Sequence, residues 1–507
     1  MRFNKTIVSV VILTCAAAVF SGPLNPPTGP VQTTGRTQIN QQFIAALPYV
    51  ITQPGSYVLT GNLVMAGVGN GIEITTDNVT IDLAGFSITG VSGNPFSAIF
   101  ATSPGFGVFR KNIAITNGTV NEWDFAGIEL SNASNIRISH IQAYRCGTGL
   151  YLAFNNTISQ CVFENCFSSG VQAGNVTTMS DCTALFNGGG GFSVGSTSVV
   201  SRCTAENNFN TGFQVGEGSV LADCTARSNF QPKGSATGFV TGDRCVATGC
   251  VSAGNSGSGF SMVNSCLVSH CTSIGNFNSG FEAFDDFSAT NCNASSNSFM
   301  GIYFNGGTVT ACTADRNGFR GISTFFDRAL ITNSSANWNG DTGIYLDGPS
   351  SVQNCSAVNN AAYGILADVA SEGTKVDGCK TTNNLIDGIQ TVANCTVQNC
   401  TSTQNWINGI DVGDRCTVVN NSCIDNGTIA GGGPGAGIRC TGGGARVDNN
   451  HVSGNDTGID ASLPFRNVII RNTAFGNSPN YNLNVANDIG PIGSAAASTS
   501  PWANISF

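Results

Sequence analysis

The segment CTALFNGGGGFSV at residues 182–194 returns twenty-one residues later as CTAENNFNTGFQV at 203–215. Cys182 aligns with Cys203, Asn187 with Asn208, and Gly191 with Gly212. The glycine can be followed both ways, through Gly127, Gly149, Gly170, Gly191, Gly212, Gly238, Gly259, Gly280, Gly301, Gly321, Gly343, Gly364, Gly388, Gly409, Gly437 and Gly458. Most steps are 20 to 22 residues. Three longer steps hold QPKGSA, DVASEGTK and TIAGGGPGAG, which read as loops bulging from one coil. A unit this short cannot bury a core alone, so successive units must stack.

After each glycine the chain alternates, as in GIEL (127–130), GLYL (149–152), GIYF (301–304), GIYL (343–346) and GIDV (409–412). Alternation of period two marks strands, and Asn, Gly, Ser and Asp punctuate the turns between them. No stretch after the N-terminus sustains a 3.6-residue apolar period, and the leucine framework of leucine-rich repeats is missing. An all-β chain of one parallel β-helix solenoid remains, with about 21 residues per coil. Sixteen glycine-marked coils at the strand spacing of roughly 4.8 Å make a rod of roughly 75 Å.

Arg2 and Lys5 precede an apolar run from Ile7 to Phe20, so residues 1–21 read as a signal peptide. A lipoprotein signal at Cys15 is the competing reading, and Thr14 fits it poorly. The run is too short to cross a membrane comfortably, and no later segment is apolar enough. The expectation is therefore a secreted, extracellular or cell-surface monomer without a transmembrane segment. Residues 22–48 form a Pro- and Thr-rich linker or cap, 49–480 the β-helix, and 481–507 a C-terminal cap and tail. A net charge of −9 with only 21 Lys and Arg excludes a nucleic-acid partner, because that binding needs clustered cations.

The opening YVITQPGSYVLTGNL…GIEITTDNVTIDLAGFSITG and the closing NTAFGNSPNYNLNVANDIGPI resemble the ends of right-handed parallel β-helix repeat proteins of the pectin-lyase-like superfamily. The resemblance covers roughly residues 49–492. It implies a right-handed coil and places substrate grooves beside the strand that follows the glycine. It implies no single activity, since this fold hosts lyases, hydrolases, epimerases and adhesins.

The recurring residues read as scaffold. Gly191 and Gly212 mark positions where a Cβ would be penalised. Cys182, Cys203 and Cys224 stand nine to fourteen residues before a glycine, and Asn333, Asn421 and Asn450 stand at or near that station in other coils. A site that accepts either residue selects a small stacking side chain, not a metal-binding thiolate. Twenty cysteines less Cys15 leave nineteen, an odd number. Disulfides between coils compete with free thiols, and Cys245, Cys266, Cys395 and Cys416 offer pairing across a turn. Asn187, Asn208 and Asn229 lie five residues after the cysteines, where stacked amides can bond along the axis.

Chemistry must then lie on the outward face. GFSVG (191–195) has nucleophile-elbow spacing but lacks the strand–turn–helix that motif needs. His140, His270 and His451 are many coils apart. Two residues after the glycine, the outward column reads Glu282, Tyr303, Ser323, Tyr345. Four residues after it, the column reads Phe284, Asn305, Phe325, Asp347, Asp368. Rings and polar groups at this spacing suit a sugar chain. Asp285, Asp286, Asp327, Asp341, Arg316, Arg320 and Arg328 stand nearby. Asp347 and Asp368, with Asp285 and Asp327, are the candidate catalytic carboxylates. A pair on adjacent coils would suit a retaining glycosidase or Ca²⁺, and no other cofactor is implied. The expected function is a non-catalytic rod binding polysaccharide or cell-envelope glycan. The alternative is a polysaccharide lyase or glycoside hydrolase working in a central groove.

Overall fold

The computed structural model describes residues 35–41, 48–232, 234–427 and 435–507. The expected signal peptide and most of the Pro- and Thr-rich segment lie outside them. The described residues form 58 strands and no helix, and the named strands pair in parallel.

Each coil of the repeat contributes three short strands, and like strands stack into three sheets. The first sheet holds the strands after the ladder glycine, such as Phe192–Val194, Phe213–Val215 and Phe239–Thr241. The second holds Val199–Ser201 and Val220–Ala222, and the third Thr183–Leu185 and Thr204–Glu206. Pairing joins equivalent residues, so Phe192 meets Phe213 and Asn187 lies one coil from Asn208. Pairing extends from Thr37–Ile39, against Tyr57–Leu59, to Asn504–Ser506, against Thr473–Phe475.

The corners explain the period. In coil after coil, a residue in the left-handed region precedes an inward ladder residue. Asp181, Arg202 and Asp223 (φ 56°, 50° and 53°) precede Cys182, Cys203 and Cys224. Phe186, Asn207 and Ser228 (φ 54°, 54° and 53°) precede Asn187, Asn208 and Asn229. This conformation costs a non-glycine residue about 1 kcal/mol, so the ladders must hold the corners. They do so by satisfying buried backbone. The Asn187 amide donates to Asn208 Oδ1 at 2.8 Å, and the Asn187 backbone N–H donates to the same oxygen at 3.1 Å. The chain of amides continues through Asn229, Asn255, Asn276, Asn297 and Asn317, then through Asn339, which the sequence reading passed over, to Asn477.

The cysteine station is equally structural. The Cys182 thiol donates to Ser180 O at 3.2 Å, and the Cys182 N–H donates to Cys203 Sγ at 3.4 Å. All nineteen described cysteines are free and buried, including Cys245, Cys266, Cys395 and Cys416. One assignment needs correction. Asn333 is the left-handed corner residue itself, and Ser334 takes the ladder place, accepting from Cys312 N–H at 3.1 Å. Asn421 and Asn450 do occupy the station, joined at 3.0 Å.

Gly191 is required by close approach. A Cβ there would lie 2.6 Å from Gly212 O and 2.8 Å from the Ala205 Cβ. Beside this seam the first sheet buries a column of rings. Phe213, Phe239, Phe260 and Phe281 stack at 4.9, 4.7 and 4.7 Å, each pair within 10° of parallel. From Ile302 onward isoleucine takes the position, through Ile322, Ile344 and Ile365.

Candidate functional site

Because inward residues alternate with outward ones, the residue two after each ladder glycine faces away from the core. The parallel register puts Glu282 beside Tyr303, Tyr303 beside Ser323, Ser323 beside Tyr345, and Tyr345 beside Leu366. Four of the expected residues are thus brought into one column.

Tyr345 is only 8 % exposed. Its hydroxyl donates to Asp368 Oδ2 at 2.6 Å, and Arg320 lies over its ring with the guanidinium carbon 3.3 Å from the centroid. Arg320 also bonds Asp341 through Nε at 3.3 Å. Burial, then the bond to Asp368, pushes the Tyr345 phenol up to about 12. Burial also raises Tyr303, with the Glu282 charge adding to it. Ser323 is 1 % exposed, and its hydroxyl has no hydrogen-bond partner among the described residues.

Phe325 sits 6.2 Å from the Tyr303 ring, and both Phe284 and Phe325 are exposed. Asn305 Nδ2 donates to Asp285, and Asn278 donates to Glu282 at 3.1 Å. Asp327 and Asp285 are exposed at a corner, where Asp327 Oδ1 accepts from Arg328 N–H at 2.7 Å. The Asp347 backbone N–H donates to Thr324 Oγ1 at 3.3 Å. Both oxygens of Asp368 are occupied, one by Tyr345 and the other by Val369 N–H at 2.8 Å. Among the described residues no group of three or more His, Cys, Asp or Glu side chains gathers as metal ligands would.

The same column continues into a cluster that the sequence reading missed. Leu366 is followed by Gln390, Asp411 and Arg439. Asp387, just before a ladder glycine, and Asp411 are 4 % and 6 % exposed. Asp387 accepts from Asn408 N–H at 2.7 Å, and Asp411 lies 4.0 Å from Arg439 and 3.4 Å from the Thr441 hydroxyl. Burial raises Asp387 to about 6; burial and then the Asp387 charge raise Asp411 to about 7. The signal was present, since Asp411 and Arg439 each stand two residues after a ladder glycine. A shallow depression of about 250 Å³ lies further toward the N-terminus, between Phe125, Thr148, Tyr151 and Gln172.

Three stacked parallel sheets, with an outward column of aromatic and acidic residues, define a β-helix with a decorated face. The right-handed β-helix region family matches residues 50–230 and 282–422, and the chain belongs to that family. Among curated proteins none matches the sequence. Among solved structures, a periplasmic alginate epimerase is 9 % identical, covering 93 % of this chain and 82 % of its own, with a TM-score of 0.26. A pectate lyase is 17 % identical, covering 64 % and 70 %, with a TM-score of 0.23. The tailspike protein of E. coli bacteriophage HK620, solved with a pentasaccharide, is 12 % identical, covering 77 % and 72 %, with a TM-score of 0.27. At these identities and scores the likeness bears on no activity of this chain.

Proposed function

We propose that the protein is an exported rod that binds a polysaccharide or cell-envelope glycan along the outer face of the first sheet, between Glu282 and Asp368. The observation that carries this reading is the column Tyr303–Ser323–Tyr345, fixed by coil register and by the Arg320 and Asp368 contacts to Tyr345. Tyr345, covered by Arg320, holds the floor, and the half-buried Tyr303 ring and the exposed Phe325 ring beside it can meet a sugar face while the polar groups around them orient hydroxyls.

The test is a glycan array probed with the wild-type protein and with Tyr303→Ala. Specific binding that Tyr303→Ala reduces supports the reading, and no bound glycan on a broad array defeats it. Asp347→Ala and Asp368→Ala that left a confirmed ligand's binding unchanged would remove those two residues from the site.

A second reading, a glycoside hydrolase or polysaccharide lyase, draws on Asp387 and Asp411. Two buried carboxyls raised to about 6 and about 7 keep a proton near neutral pH, as a general acid must. Release of reducing ends or unsaturated uronates, abolished in Asp411→Asn, is the result that would favour it over the non-catalytic rod.

A further inference from the structure

We infer that the face between Glu282 and Asp368 selects glycans carrying primary amines, such as polymers of deacetylated hexosamine, over neutral glycans and polyuronates. This rests on the glycan-binding reading above and names its ligand class.

The first ground is charge. Residues 282–368 hold eight carboxylates against three arginines, with no lysine or histidine. Arg320 is already committed, bonded to Asp341 and laid over Tyr345. Arg316 and Arg328 are exposed, as are Asp285, Asp286 and Asp327, and Asp315 lies in a strand of the third sheet, so the column and its edge set Glu282, Asp341, Asp347 and Asp368 against Arg320 alone. Glu282 is held by Asn278, and Asp368 by Tyr345 and a backbone N–H. Neutral donors orient these carboxylates without cancelling their charge.

The second ground is independent of charge. Ser323 Oγ is buried in the floor between Tyr303 and Tyr345 and lacks a partner among the described residues. Asn305 Oδ1, on the neighbouring column, is also buried and unpartnered. A buried polar atom without a partner is a standing cost until something meets it. Asn305 Oδ1 and the carboxylates can only accept, and Ser323 can accept as well. Asn305 Oδ1 and the carboxylates therefore call for donors, and the Ser323 hydroxyl can take one or give one. An ammonium group brings three donors and no acceptor, whereas a uronate carboxylate brings acceptors alone. The rings of Tyr303 and Phe325 add a surface that also attracts cations.

The experiment is calorimetric titration of the full chain, at mildly acidic pH, with oligomers of β-1,4-glucosamine, β-1,4-N-acetylglucosamine and galacturonate. The glucosamine oligomer should bind about tenfold tighter than its acetylated counterpart, and high salt should erase the difference. The double variant Asp347→Asn/Asp368→Asn should shrink the preference, with circular dichroism to check its fold. The salt dependence of the wild-type protein stands even if that variant does not fold. Equal binding of the two hexosamine oligomers, or tightest binding of galacturonate, overturns the amine selectivity and leaves glycan binding intact. No binding of these oligomers, nor of any glycan on a broad array, overturns both.

Discussion

The Tyr345 hydroxyl donates to Asp368 on the next coil at 2.6 Å, beneath the guanidinium of Arg320. One bond thereby ties two coils on the outer face and fixes a carboxylate beside an aromatic ring. Tyr345→Phe keeps the ring and removes the bond. A bond to a charged acceptor contributes about 1.5–3 kcal/mol, so the thermal midpoint should fall modestly and glycan affinity should fall with it. An unchanged midpoint and affinity would show that the contact is idle.

The asparagine ladder should be far less forgiving. Asn317 Oδ1 accepts from both the backbone N–H and the side-chain amide of Asn297. Asn317→Ala strands two buried donors, at a cost of about 2–4 kcal/mol. Asn317→Asp keeps the acceptor but sets a buried carboxylate against Ala294 O and Asn339 Oδ1, which Asn317 serves as donor, so it should not recover the loss. Because coils unfold partly independently, hydrogen exchange across the coils around Asn297 and Asn339 is the appropriate measurement.

Glycine at the ladder position is a packing requirement. In Gly343→Ala the new Cβ would sit 2.6 Å from Asn360 Nδ2 and 2.7 Å from Gly364 O. That variant should lose stability or soluble yield. Gly67→Ala, where nothing lies within 4 Å, should behave as wild type in the same denaturation assay.

Acid stability follows from Asp387 and Asp411. Their folded values, about 6 and about 7, lie above the ordinary value of 3.8, so the native state holds protons more tightly than the unfolded chain. The stabilisation is fully present below the unfolded value and is lost as pH rises through the folded ones. Stability should fall between about pH 4 and pH 7 on this account, by on the order of a few kcal/mol for the pair, and the thermal midpoint should drop with it. Asp411→Asn should flatten that slope. A midpoint that climbs across the window in wild type, with no change of slope in the variant, would contradict it.

Thiol chemistry should be silent in the native state. Burial pushes the Cys166 thiol up to about 12, whereas bonds from the Cys245 and Cys395 thiols pull Cys266 and Cys416 down to about 6 and about 7; all nineteen are buried, and it is burial that shuts the reagent out. Iodoacetamide should label none of the nineteen before unfolding and all of them in denaturant, read as mass added per molecule.

The repeat was legible because stacking makes every coil solve the same packing problem. A residue that fits between Gly191 and Gly212 recurs wherever that gap recurs. Asn339 is hidden because the asparagines are located five residues after a cysteine, and in its coil Ser334 stands in the cysteine's place. Asn333 was placed one residue early because a corner residue and a ladder residue differ by a single step, which sequence spacing does not separate. On the outer face, the alternation that located Tyr303 and Tyr345 also located Asp411. Its burial beside Asp387 and Arg439 depends on side-chain directions that no periodicity records.

Along the asparagine column each side-chain amide gives one hydrogen to the next asparagine oxygen toward the C-terminus, from Asn187 to Asn208 and on to Asn477, which gives to Asn480, and it also donates back to a carbonyl of the preceding coil, as Asn187 does to Phe163 O. Asn480 passes its own amide to Ser506 in the closing strand. The column is therefore vectorial. A chain arriving N-terminus first spends one amide bond on the coil already laid down and holds out the other for the coil that follows, so each turn is a template left open until its successor is laid down. Growth has a built-in direction, and it needs a terminus that receives without passing on.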